Sequence, residues 1–349
     1  MNDLYFFSAG SIHQLTGGYL YNARVMETLS RHDINVRVIE VDGTFPEGDE
    51  TARASLEHHL NELPDGARAV MDGLCIGNFP ELIETHQNRL TITAIVHLPL
   101  ADETGLTEAM RVHYKHQEIR TLAAVDDVIV TSRFMVERLA NYNVSPDAIH
   151  VVEPGVDRFP LGQPDRHPPR LLCVATVTPR KGQALLVDAL ADLKHLEWEC
   201  DLVGALDRAP EYVEDVRARI AAHGLEDRVH LLGERQGDAL AQYYKRAYLF
   251  VLPSYFESYG MVINEAIAFG VPVVTMKGGA LMDTLPKDAG IVLPTGDTEA
   301  LKTTLGRLIE VPAERQKLTQ GALTAREHLR RWTDTGYRFM KALHLAQTA

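Results

Sequence analysis

The sequence predicts an α/β protein of two doubly wound domains, each a parallel sheet with helices on both faces. Three observations carry this. Short apolar runs alternate with amphipathic stretches along nearly all of the 349 residues, the pattern of strands feeding crossover helices. The length is more than one ordinary hydrophobic core takes up, and it suits two. Between residues 160 and 169, four prolines and a glycine interrupt the alternation at a density that no strand or helix interior tolerates. The expected division is therefore a first domain over 1–160, a linker over 161–169, a second domain over 170–325 and a C-terminal helix over 326–349.

The elements follow in order. Residues 4–8 open the first domain as an aromatic-rich strand, and a loop from Ser8 to Gly18 leads into helical periodicity from Tyr19 to Leu29. Apolar runs at 36–41, 69–72, 90–97, 128–131 and 149–152 supply five more strands, most of them rich in the β-branched residues that suit a buried pleated surface. In the second domain, runs at 171–176, 199–203, 229–233, 249–252, 273–275 and 291–293 repeat the pattern, with a helix expected over 183–193. Residues 312–323 and 325–345 read as two helices, the latter carrying Trp332, Tyr337, Phe339, Met340 and Leu343 as one apolar core-facing stripe.

Composition narrows the function. An apolar share of 45% and a charged share of 24% are ordinary globular values and argue against disorder. No apolar run approaches a bilayer span, and the start of the chain lacks the basic character of a secretion signal, so a cytoplasmic location is expected. Cys75, Cys173 and Cys200 each sit in an apolar stretch and read as small buried residues of a reducing compartment. Residues 1–160 hold 12 Lys plus Arg against 24 Asp plus Glu, while the remainder holds 23 against 24. So acidic a first half disfavours nucleic acid and anionic membrane as partners, or simply serves solubility.

Two carboxylates carry the densest chemical signal. Glu257 stands in a loop before Gly260, and Glu265 follows about one turn into a helix, ahead of the apolar run at 271–275. A loop acid accepts hydrogen bonds from sugar hydroxyls, the amides of Tyr259, Gly260, Met261 and Val262 at a helix start suit a diphosphate, and a helix acid takes both ribose hydroxyls. Further upstream, the strand at 171–176 runs into Arg180, Lys181 and Gly182, placing two cations at the carboxyl edge where parallel sheets bind ligands.

The segment from Phe256 to Val274, with its flanking residues 249–254, resembles the paired-glutamate signature of the family 4 retaining glycosyltransferases. That family has the GT-B fold, two Rossmann-like domains facing a central cleft. The resemblance implies that Lys181 is the family's diphosphate lysine, whereas the usual arginine falls on Thr176, with Arg180 as the neighbouring candidate to supply the charge. It also implies that Gly17 and Gly18 form a loop against the donor diphosphate. His97, which closes a strand, matches the histidine near the transferred sugar. The polar groups Asp102, Glu103 and Thr104 lie where an acceptor is expected, and the base is expected near 233–235. Gly278 and Gly279 read either as a close approach to ligand or as a tight turn. The last helix is expected to cross back onto the first domain.

These expectations define a metal-independent retaining hexosyltransferase that uses a UDP- or GDP-sugar and a small or soluble acceptor, with homo-oligomerisation open. No Asp-x-Asp pattern, the diphosphate-metal site of the other large glycosyltransferase fold, occurs in the chain, so no metal cofactor is expected. Alternatives are a catalytically weak nucleotide-sugar-binding subunit, prompted by Thr176, and a UDP-sugar 2-epimerase of the same fold.

Overall fold

The computed structural model describes residues 2–32, 34–164 and 167–345. They form two compact units, one made of residues up to Gly155 together with those from Arg331 on, the other of Val156–Arg330. The first unit contains β1 (Asn2–Ala9), β2 (Ile34–Val41), β3 (Arg68–Asp72), β4 (Thr91–Val96), β5 (Asp127–Val130) and β6 (Ile149–Val151). The second contains β7 (Arg170–Val174), β8 (Glu199–Val203), β9 (Val229–Leu231), β10 (Leu249–Leu252), β11 (Val273–Met276) and β12 (Gly290–Leu293). All twelve strands expected from sequence are present.

Both sheets are parallel, ordered β2-β1-β3-β4-β5-β6 and β12-β11-β10-β7-β8-β9. Central strands are covered on both faces, which is why they read as continuous apolar runs: residues 92–96 of β4 and all of β10 are buried. In each sheet the strand order reverses once, between β1 and β3 in the first and between β7 and β10 in the second. Loops leaving the carboxyl ends of such a strand pair run to opposite faces and leave a crevice between them.

The C-terminal helix Trp332–Ala342 belongs to the first unit and packs on its first helix, Gly17–Ser30. Tyr21 meets the Trp332 ring edge-on at 6.2 Å, the Arg24 guanidinium lies over that ring, and the Thr335 hydroxyl donates to the Glu153 carbonyl at 3.0 Å. Two sequence expectations change here. The preceding helix runs Pro312–Arg326, so the break falls at 327–331 instead of at residue 324. Tyr337 is exposed; the buried face consists of Thr335, Gly336, Phe339, Met340, Ala342 and Leu343, because 100° per residue turns position 337 outward.

Residues 161–164 of the proline-rich segment read as a linker lie along the second unit. The Gly162 N–H donates to the Phe269 carbonyl there and the Gln163 N–H to the Lys245 carbonyl. Phe159 stacks on Phe269 with ring centroids 4.4 Å apart. Prolines bar this stretch from a sheet, and isolated loop hydrogen bonds take the place of a ladder.

Gly155 lies against backbone: a Cβ there would stand 2.4 Å from the Trp332 nitrogen and 2.6 Å from the Arg331 carbonyl carbon. We expect Gly155→Ala to lower the unfolding free energy by about 1–3 kcal/mol. Gly17→Ala, whose added Cβ meets open space, is expected to leave stability within about 0.5 kcal/mol or raise it. Denaturant melts of both variants check the contrast.

Candidate functional site

The second unit gathers its cations and its loop acid at the strand reversal. After β7, the chain makes a single 3-10 turn, Pro179–Lys181, and Gly182 follows in the left-handed region at φ 71°. A Cβ on Gly182 would fall 2.3 Å from the Pro253 carbonyl oxygen, so only glycine lets this turn lie on the loop that leaves β10. The approach brings the Lys181 Nζ to 2.6 Å from the Glu257 Oε1, where the Ser254 hydroxyl also donates at 2.8 Å. Arg180 stands 3.6 Å from the Glu257 Oε2, and its Nη1 donates to the Phe256 carbonyl at 3.1 Å. Its own carbonyl accepts from the Tyr255 N–H.

Glu257 is thus a buried acid between two cations. Burial pushes its carboxyl up, but Lys181, Arg180 and the hydrogen bonds from Lys181 and Ser254 outweigh burial and hold it below the usual carboxylate range. Its backbone is fixed as well: its N–H donates to the Gly278 carbonyl and its carbonyl accepts from the Ala280 N–H. The close approach at Gly278 and Gly279 is therefore to the Glu257 loop.

Gly260 precedes the helix Met261–Ala268, so Met261 and Val262 lie in its first turn, where N–H groups have no intrahelical acceptor. The Tyr259 side chain accepts from the Asn264 amide, and its carbonyl accepts from the Thr284 hydroxyl. Glu265 is tied through Oε2 to the Tyr244 hydroxyl at 2.7 Å. Burial raises the Glu265 carboxyl, the Tyr244 hydrogen bond opposes this and Asp157 adds to it. Sequence reasoning passed over Tyr244 and Ser254, since one reads as a core aromatic and the other as a turn residue. Thr176, where the resemblance leads one to expect an arginine, contributes its carbonyl to the Gln183 amide.

In the first unit the reversal between β1 and β3 organises a second cluster. The first helix begins at Gly17, so Gly17 and Gly18 form its first turn and not the loop before it. Gly18 packs against the His97 ring, where an added Cβ would lie 3.0 Å from Cδ2. The His97 Nε2 is 2.9 Å from the Asn22 Oδ1, and the Asn22 amide nitrogen donates to the Asp72 Oδ2 at 2.6 Å. Burial lowers the His97 pKa, with Asp72 acting in the opposite sense. Sequence reasoning found His97 but neither of its supports.

Behind the loop after His97 lies Glu118, 5% exposed, which accepts from the N–H groups of Leu100 at 2.7 Å and Ala101 at 3.3 Å. Burial pushes its carboxyl up to about 8, against those two N–H groups and with the field of Asp102 adding. Asp102 itself pairs with Arg138, and Glu103 turns back onto its neighbour Thr104. These residues hold the loop's shape, which occupies the groups that sequence placed beside an acceptor.

Two outcomes follow from the charges. Glu257, its carboxyl depressed, lends stability that is present above the ordinary carboxylate value and lost as pH falls through its lowered one. Lys181→Met is expected to cost about 2–4 kcal/mol near neutrality, narrowing in acid as Glu257 protonates, in denaturant melts across pH. Glu118 has the opposite sign: the stability tied to its raised pKa is complete below 4.5 and lost as pH rises through about 8. Glu118→Gln should therefore gain on the native protein by on the order of 3 kcal/mol between pH 5 and 9; equal melting curves at both ends would contradict this.

Comparison with known proteins agrees with this architecture. Residues 158–324 match the family described as glycosyl transferases group 1. A D-inositol 3-phosphate glycosyltransferase of Xylanimonas cellulosilytica is 33% identical over 230 residues, 60% of this chain and 54% of that protein. The chain spans about half the length of the curated relatives it matches first. Sucrose-phosphate synthase from Thermosynechococcus elongatus superposes with a TM-score of 0.83 at 20% identity, covering 99% of this chain and 98% of that one. Anabaena HepE, crystallised with UDP and glucose, gives 0.78 at 17% identity over 99% and 100%. With its two parallel six-stranded sheets the chain has the GT-B fold, and residues 158–324 of its second unit match the glycosyl transferases group 1 family.

Proposed function

We propose that the chain transfers a hexose from a UDP- or GDP-sugar to a hydroxyl of a small or soluble acceptor, with retention at the anomeric carbon and without a metal. The observation that carries this is the Lys181–Glu257 pair, with Arg180 beside it, at the carboxyl ends of β7 and β10. Lys181 and the first-turn amides of the helix Met261–Ala268 offer positive charge for a diphosphate. Glu257, held ionised, accepts from the hydroxyls of the sugar. Glu265 accepts from the ribose, with Tyr244 fixing its orientation.

In this reading the bond from the anomeric carbon to the diphosphate oxygen breaks, and a bond to the acceptor oxygen forms on the same face. The acceptor's proton passes to the departing phosphate oxygen. Charge builds on that oxygen as the bond stretches, and fixed donors lower the barrier because they need no reorganisation at that moment. Lys181 leaves one of two partners for the other: its bond to Glu257 gives way to one with the phosphate. His97 is assigned as the first unit's contact to the donor sugar, with Gly17 and Gly18 beside it. Metal independence rests on the absence of an Asp-x-Asp pattern and on the cations that take its place.

One observation favours a second reading, a weak sugar-nucleotide-binding subunit: Thr176 replaces a cation, and Arg180 already serves the Phe256 carbonyl. Incubation with UDP-glucose, UDP-N-acetylglucosamine and GDP-mannose, reading nucleotide release with and without EDTA, separates the two. One donor is expected to release nucleotide regardless of EDTA. Glu257→Gln should keep nucleotide binding and lose turnover by about 100-fold or more, and Lys181→Ala should weaken diphosphate binding about tenfold or more. Binding without release from any donor supports the second reading; neither binding nor release overturns both.

A further inference from the structure

His97 is the end of a buried chain of three side chains. Asp72 closes β3 and is 4% exposed; Asn22 lies on the first helix and is fully buried. The Asp72 Oδ1 accepts from the Leu74 N–H at 2.9 Å, capping the short helix after β3, and its Oδ2 accepts from the Asn22 amide at 2.6 Å. A carboxylate offers only acceptors, so the Asn22 group facing it is the NH2. The Asn22 oxygen then faces the ring, at 2.9 Å from Nε2. An amide oxygen only accepts, so Nε2 carries the proton.

The ring has no freedom to escape this. Gly18 lies against it within 3.0 Å of an added Cβ, and the Tyr21 ring meets it edge-on at 5.3 Å and 79°. Tyr21 is itself anchored, its hydroxyl donating to the Val152 carbonyl at 2.9 Å. From the first helix the ring meets Gly18, Tyr21 and Asn22, and from β3 the charge of Asp72.

We propose that Asn22 and Asp72 are positioning residues for the reaction: Asp72 locks the Asn22 amide, which fixes His97 as the Nε2–H tautomer and leaves Nδ1 as the ring's lone-pair atom. His97 then meets a sugar hydroxyl as an acceptor. This rests on the assignment of His97 as a donor-sugar contact, but the lock itself is a property of the unliganded protein and is read without any substrate.

The test uses the full chain labelled with 15N-histidine. Long-range 1H–15N spectra of the native protein at neutral pH are expected to show His97 as the neutral Nε2–H form. In Asp72→Asn, which keeps the side chain's shape, either amide can turn over, and an Nδ1–H population is expected to emerge. Turnover should fall about tenfold with the donor KM within about twofold. In Asn22→Asp a carboxylate faces Nε2–H, and the His97 titration midpoint is expected to rise by about one unit or more. A native Nδ1–H tautomer, or an Asp72→Asn protein with unchanged tautomer and turnover, overturns the lock. If no donor is ever turned over while the spectra change as described, the lock stands and the transferase reading falls; unchanged spectra beside an inactive Glu257→Gln give the reverse.

Discussion

The contact between Lys181 and Glu257 is the constraint from which the second unit's chemistry follows. The two residues are 76 positions apart and meet only because β7 and β10 are neighbours at the point where the sheet's strand order reverses. Gly182 lets the two loops touch, and the Arg180 charge and the Ser254 hydrogen bond join Lys181 in offsetting the upward push of burial on the Glu257 carboxyl. An ion pair with so little exposure is a poor source of net stability, because desolvation offsets most of its attraction. Its consequence is that Glu257 is held ionised and both side chains are fixed at the strand reversal.

The first unit uses the same topology for a different end. Its reversal between β1 and β3 puts the start of the first helix beside the end of β3, and His97 follows the neighbouring β4. The ring is held by an amide and a carboxylate on one edge, by Gly18 and by Tyr21, and burial keeps it toward the neutral form.

Much of this was legible in the sequence. The central strands could be read because parallel sheets buried on both faces leave unbroken apolar runs; the exposed edge strand β2 was read from its β-branched residues instead. Lys181, Glu257 and His97 stood out as candidates because each follows such a run, at the edge where parallel sheets bind ligands. What stayed hidden depends on side chains far apart in sequence. Asn22 and Asp72 are 50 residues apart, and neither has a local signature separating it from a helix-surface amide or a capping acid. Tyr244 looks like any core aromatic until the Glu265 oxygen is found against it. Glu118 lies in an amphipathic helix full of charge, and only its burial distinguishes it. The start of the first helix was misplaced because two glycines suggest a loop, whereas both lie in the helix's first turn and Gly18 makes room for the His97 ring.

The most direct measurement of the central claim is a crystal structure of the chain with a bound nucleoside diphosphate sugar. The account predicts Lys181 Nζ turned from Glu257 onto a phosphate oxygen, the Met261 and Val262 amides on the diphosphate, the sugar hydroxyls on Glu257 and the ribose on Glu265. A nucleotide seated elsewhere on the second unit, with the Lys181–Glu257 pair still closed, would contradict it.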